Sequence, residues 1–442
     1  MKKFDSDFLL GAATAAHQVE GNNIHNDCWA MEHMKYTSYK EPSLDAVDQY
    51  NRYEEDIRLM AQAGLNAYRF SIEWARIEPE EGVYDEAEVD HYRKVIRCCK
   101  ENGLEPIVTL MHFSSPVWLI RKGGWEADST VEDFARYAKY IITKLGSELK
   151  YVCTINEANM GLQIAEISKR YMQKMMADMA AKKASAEKNA ASGESKADDS
   201  DGKVQVGINL EQLMKNRELA AAENMEVFGT REPQVFTSAR TTHGDEIIML
   251  AHQAAKKEIK ALFPGLQVGL TLSLHDIQAV DGGEANAWKT WSDEFTHYIP
   301  YIFDDDFLGV QNYTRSIYDE NGLMPDPEGT ELTQMDYEYY PEALGHVLRR
   351  VANEFKGKLF VTENGIATAD DSRRCDFINT ALEGVQDCME NGLPVIGYLH
   401  WSLLDNFEWQ KGFSMTFGLI AVDRTTQKRT PKESLKLLGS YR

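Results

Sequence analysis

The sequence lacks a basic excess, a long apolar run, a cysteine framework and a glycine-rich phosphate loop, and each absence excludes something. Lysine and arginine number 48 against 70 aspartates and glutamates, a net charge of −22. Nucleic acid and anionic membrane surfaces call for basic patches, so neither is expected as a partner. No stretch approaches the ~20 apolar residues of a membrane helix. Six cysteines, none in a C-x-x-C pair, are too sparse for a disulfide scaffold and read as reduced thiols. Lys2-Lys3 precede the apolar run Phe8-Leu9-Leu10, but Asp5 and Asp7 lie between them and the run is short, so a cytoplasmic location is expected rather than a signal peptide. No G-x-G-x-x-G follows a strand. No cluster has zinc-type ligand spacing, and no metal or organic cofactor is expected.

What is present is a rhythm. The 442 residues are 43% hydrophobic, enough for one large barrel or two to three smaller domains. Apolar strands are expected at 8–14, 65–72, 106–111, 151–156, 267–274, 307–313, 359–362 and 394–401. Most are separated by helical patterns, at 48–63, 87–101, 131–145, 245–262, 342–355 and 374–390, with a last helix at 431–438. In the first of these Tyr50, Tyr53, Ile57, Met60 and Ala61 share a face, and Gly64 stands where a glycine ends a helix. Continuously apolar strands alternating with amphipathic helices mean a parallel sheet covered by helices. Eight units predict a (β/α)8 TIM barrel, a single domain over residues 1–442. Its competitor, a doubly wound open sheet, lacks its glycine loop here.

One segment breaks the rhythm. Residues 166–240 are rich in Ala, Lys, Met and Ser, and Ala190–Gly202 is close to low complexity. This reads as a long irregular βα-loop excursion after the fourth strand, one helix at 165–189 and then a flexible stretch. It would lie over the barrel mouth, as a lid or as decoration.

Polar residues follow the strands: Gln18, Arg69, His112, Glu157, Tyr313, Glu363 and Trp401. A barrel gathers its active site on that face. Two of these residues are acids. Glu363 ends Leu359-Phe360-Val361-Thr362 and is followed by the turn residues Asn364-Gly365, and Glu157 ends the run from Tyr151 to Asn156. Either alone could be a plain acid at a strand end. Together, two carboxylates across a barrel mouth suit glycoside hydrolysis, where one donates a proton to the leaving oxygen and the other attacks the anomeric carbon or activates water. Arg69 is a natural partner for the ionised carboxylate, because a guanidinium stays charged. His112, Asn156 and Gln18 offer hydrogen bonds to sugar hydroxyls. Trp401 and Trp409 offer flat apolar faces, with Glu408 beside them.

These residues resemble glycoside hydrolase family 1, the β-glucosidase/β-galactosidase family of retaining enzymes on a (β/α)8 barrel. The resemblance rests on Gly11-Ala-Ala-Thr-Ala-Ala-His-Gln-Val-Glu-Gly21, Tyr68-Arg-Phe-Ser-Ile-Glu-Trp74, Thr154-Ile-Asn-Glu157, Thr362-Glu-Asn-Gly365 and His400-Trp-Ser-Leu-Leu-Asp-Asn-Phe-Glu-Trp409. It implies Glu157 as general acid/base and Glu363 as nucleophile, with Arg69 and Tyr313 supporting Glu363 and Asn156 holding the sugar 2-hydroxyl. It implies Gln18, His112, Glu408 and Trp409 as contacts of the non-reducing sugar and Trp401 as its platform. Glu408-Trp409 resembles members acting on unphosphorylated glucosyl, galactosyl or fucosyl units; the 6-phospho-glycosidases place Ser and Lys near there. The sequence departs from the family at Ala158, where proline is usual, and at Gln311, where asparagine is usual. Phe113 and Tyr337 stand where tryptophans are usual, Tyr337 in the leaving-group subsite. The expected partner is a small β-glycoside or oligosaccharide, and both a monomer and a homo-oligomer fit. The alternatives are a 6-phospho-β-glycosidase and a non-catalytic sugar-binding barrel.

Overall fold

The computed structural model describes residues 2–186 and 206–442. Its strands include β1 (Leu9–Ala13), β2 (Ala67–Ser71), β3 (Glu105–Met111), β4 (Tyr151–Ile155), β5 (Gln267–Gly269), β6 (Thr271–Ser273), β7 (Asp276–Ala279), β8 (Phe307–Gln311), β9 (Arg315–Asp319), β10 (Gly322–Leu323), β11 (Lys358–Asn364) and β12 (Val395–Trp401). Nine of them form one sheet in the order β5-β4-β3-β2-β1-β12-β11-β8-β6. Every pairing in it is parallel. The two ends of that order, β5 and β6, are halves of one strand parted at Leu270. The Leu270 carbonyl accepts from Gly309 N–H at 2.9 Å, so the strand continues across the break. The sheet is therefore a closed eight-stranded barrel wrapped by helices, as expected.

Local chemistry explains the elements. The helix Glu86–Glu101 starts where the Asp85 side chain accepts from the amides of Ala87 and Glu88, and it buries Val89, Tyr92, Val95, Ile96 and Cys99 along one stripe. The helix Gln49–Ala63 ends at Gly64, whose φ of 97° lets its amide turn back onto the Met60 and Ala61 carbonyls. Inside the barrel, the rings of Tyr151, Phe307 and Phe360 meet with centroids 5.9–6.1 Å apart. They come from the first residues of β4 and β8 and the start of β11, so they plug the bottom and leave the opposite end for polar residues.

The excursion after β4 differs from expectation. The helix Met160–Ala186 is present, but a second one, Leu210–Phe228, occupies part of the stretch expected to be flexible. Its leucines, alanines and glutamates are strong helix formers, and the Asn209 side chain caps it by accepting from Gln212 N–H. Asn216 donates to the carbonyls of Tyr36 and Thr37, and Glu223 accepts from the amides of Lys35 and Tyr36, which moors the helix to the loop after β1. The low-complexity stretch Ala190–Gly202 lies outside the described residues. The sequence also gave no sign of the helix Glu284–Glu294 or of the small sheet β10-β9-β7 beside it. None of the six cysteines is in a disulfide. Among the described residues no helix is long and apolar enough to cross a membrane.

Candidate active site

All the polar and aromatic residues singled out in the sequence converge on the C-terminal end of the barrel. None is more than 5% exposed. Arg69 on β2 organises the centre. Its Nη1 donates to Glu363 Oε1 at 2.6 Å, its Nη2 to Asn156 Oδ1 at 2.6 Å and its Nε to Thr109 Oγ1 at 2.9 Å. Tyr313 Oη donates to the other Glu363 oxygen at 2.6 Å. The ladder of β11 slips against both neighbours between Val361 and Glu363–Asn364. Such slips re-aim a side chain at a barrel rim, here that of Glu363.

Glu157 enters by a different route. Its backbone holds a φ of 42°, a left-handed conformation that costs a non-glycine residue about 1–3 kcal/mol and must be imposed by its surroundings. The Glu157 amide donates to Thr271 Oγ1 at 2.8 Å, and the Ala158 amide donates to the Thr271 carbonyl at 3.0 Å. Alanine in place of the family's usual proline thus has a consequence: proline has no N–H to make the second bond. Phe113 and Trp409, at φ values of 69° and 43°, are two more left-handed residues at this site.

The two carboxyls experience opposite surroundings. Burial, then the negative charge of Glu363, push the Glu157 carboxyl well above its ordinary range, while a hydrogen bond with Ser273 and the more remote Arg69 oppose the shift. Burial also raises Glu363, but Arg69, Tyr313 and Gln311 all favour its charged form. Glu157 is therefore the carboxyl that holds its proton more tightly.

Around this pair lie unpartnered polar atoms. Asn156 Nδ2 donates to His112 Nε2 at 3.1 Å, which leaves the His112 proton on Nδ1. Burial and Arg69 hold the ring well below its ordinary range, so it is neutral. His112 Nδ1, Gln18 Oε1 and Tyr337 Oη are buried without a hydrogen-bond partner among the described residues. Gln18 Nε2 donates to Glu408 Oε2 at 3.1 Å and to the Phe407 carbonyl at 2.7 Å. The Trp401 and Trp409 rings flank His112, with centroids 5.6 and 6.2 Å from it. Free donors and acceptors beside flat apolar rings make a setting for a polyol with C–H faces. Tyr337, expected in the leaving-group subsite, is fully buried, and its hydroxyl feels the charges of both Glu408 and Glu157.

Sequence reasoning named Gln311 only as a departure from the family's asparagine, and it missed Thr109, Thr271 and Ser273. Gln311 Nε2 donates to Asn156 Oδ1 at 2.8 Å and to Thr271 Oγ1 at 3.0 Å. Thr271 Oγ1 in turn donates to Asn156 Oδ1 at 3.1 Å, and Ser273 meets Glu157. The one available signal was position: Gln311 and Ser273 end their strands, and Thr109 and Thr271 lie two residues before the ends of theirs.

The glycosyl hydrolase family 1 model matches residues 1–441. The chain is 30% identical to a β-glucosidase of Agrobacterium sp., covering 98% of this chain and 94% of that one. It is 28% identical to a 6-phospho-β-galactosidase of Clostridium acetobutylicum, covering 98% and 96%. Among solved structures it is similar to the β-glycosidase BGL167, with 42% identity, a TM-score of 0.83 and coverage of 99% and 96%. With a matching family model along the whole barrel and two buried glutamates at its mouth, the chain belongs to glycosyl hydrolase family 1 and is a β-glucosidase-like glycoside hydrolase.

Proposed function

We propose that the protein is a retaining, exo-acting β-glycosidase that removes terminal unphosphorylated β-glucosyl, galactosyl or fucosyl units. Residues 1–442 act as one catalytic domain carrying the 166–240 insertion. The observation that carries this reading is the unequal treatment of two buried glutamates: Glu363 is gripped by Arg69 and Tyr313, and Glu157 is not. In the first step the Glu363 carboxylate attacks the anomeric carbon. The glycosidic C–O bond breaks, and the Glu157 proton passes to the departing oxygen. In the second step the Glu157 carboxylate takes a proton from water, whose oxygen displaces Glu363 and frees the sugar. Asn156 holds the 2-hydroxyl. Gln18, His112, Glu408 and Trp409 bind the terminal sugar on the Trp401 platform, and Tyr337 borders the leaving group.

The choice of plain sugars is supported by the partners of Glu408. Its carboxyl oxygens are bonded by Gly207 N–H and Gln18 Nε2, and neither is a cation that could pair with a phosphate. The cysteines, all free, support a reducing cytoplasmic setting. The test is a pair of variants on aryl β-glycosides. Glu363→Gln abolishes turnover. Glu157→Gln spares the first step for good leaving groups, and azide rescues its second step with a β-glycosyl azide as product. Equal loss in both without rescue refutes the roles. A 6-phospho-β-glucoside cleaved faster than its plain counterpart refutes the substrate class.

A further inference from the structure

The middle of the insertion reaches the sugar pocket. Val206 and Ile208 are buried, and between them the Gly207 amide donates to Glu408 Oε1 at 3.1 Å. The segment is stitched down on both sides: Gln410 N–H donates to the Gly207 carbonyl at 2.9 Å, and Asn209 N–H donates to Gln410 Oε1 at 2.7 Å. Only glycine permits the approach. A Cβ on residue 207 would stand 2.6 Å from the Glu408 carbonyl oxygen and 3.0 Å from its Cγ. The Glu408 carboxyl is therefore clamped by two elements, Gln18 of the loop after β1 on Oε2 and Gly207 on Oε1. Its own backbone is fixed by a tight turn, in which Glu408 N–H donates to the Gly412 carbonyl at 2.7 Å.

We propose that residues 206–209 are a positioning element of the sugar site, in which the Gly207 amide orients the Glu408 carboxyl and Gln410 locks the segment in place. The proposal rests on the reading of Glu408 as a sugar contact. A carboxyl on a flexible side chain can point in several directions, and a hydroxyl contact depends on a few tenths of an ångström. Two donors from separate chain segments remove that freedom before the sugar arrives, so the orientation is preorganised. The insertion, which follows Glu157 in the chain, then takes part in sugar recognition through Glu408.

The test measures kcat and KM for 4-nitrophenyl β-glucoside, β-galactoside and β-fucoside. Gly207→Ala, which forces the segment off Glu408, lowers kcat/KM for the preferred sugar about tenfold and compresses the preference among the three, as expected when a buried hydrogen bond is lost. Gln410→Ala moves the same readouts in the same direction by less. Gln410→Glu, which keeps an acceptor for the Asn209 amide, restores them. In a Glu408→Gln background neither change adds to the loss already present, because both act through that carboxyl. Wild-type kinetics in Gly207→Ala and Gln410→Ala overturn the proposal, as do losses that persist in full on top of Glu408→Gln. Wild-type kinetics in Glu408→Gln itself overturn the prior reading of that residue.

Discussion

Tyr313→Phe isolates one bond to the proposed nucleophile. The substitution deletes the hydroxyl that donates to Glu363 Oε2 at 2.6 Å and keeps the ring, whose packing against Phe417 is edge-on with centroids 6.2 Å apart. A hydrogen bond to a buried charged group contributes about 1.5–3 kcal/mol. Its loss raises the Glu363 carboxyl, since the bond favours the charged form. The sign follows from the nucleophile having to be ionised: the acidic limb of kcat/KM moves to higher pH, and the variant is most impaired at low pH. A pH–rate profile on an aryl β-glucoside reads both. The reasoning fails if the acidic limb stays in place while the rate falls evenly at every pH. That result would place the tyrosine's effect on the substrate rather than on the carboxylate.

Two other perturbations test the buried charges. Arg69→Met leaves Glu363 without its buried counter-ion and lowers stability by about 3–5 kcal/mol in urea unfolding; adding Glu363→Gln restores part of it, and a double variant no more stable than the single refutes the pairing. Glu408 is raised by burial from an ordinary 4.5 to about 8, so the folded chain binds its proton more tightly than the unfolded one, and that contribution to stability is present below about 4.5 and lost as pH climbs towards 8. Glu408→Gln is free of that loss: its melting temperature relative to the parent rises across that window, and a pH-independent difference contradicts the burial argument.

The fold was legible because the barrel's pattern is local. A strand buried on both faces must be apolar throughout, and its covering helix must carry one apolar stripe, so short windows suffice to find both. What escaped has non-local or ambiguous causes. The strand 267–274 reads as continuous, and the break at Leu270 appears only when β4 and β8 claim its two halves. The helix Leu210–Phe228 sits in a segment whose scarcity of β-branched residues and aromatics suggested flexibility, yet the same composition favours a helix once Asn209 caps it and Asn216 and Glu223 moor it. The helix Glu284–Glu294 leaves Trp288 largely exposed, which blurs the amphipathic stripe a sequence scan relies on.

The site was legible for a related reason and only to a related depth. A barrel sends the residues in and beyond the C-terminal part of each strand to one mouth, so listing the polar ones brings Gln18, Arg69, His112, Glu157, Tyr313, Glu363 and Trp401 together without coordinates. Listing cannot divide the work between two glutamates, because their side chains are identical. The division comes from who bonds to each: a guanidinium and a phenol on Glu363, a serine on Glu157. The proposed division into a neutral acid and an ionised nucleophile thus rests on neighbours drawn from β2, β6 and the loop after β8. The same holds for Glu408, whose orienting amide lies 201 positions away. In this protein, composition at the strand ends sets what chemistry is available, and contacts made across the barrel set which atom performs it.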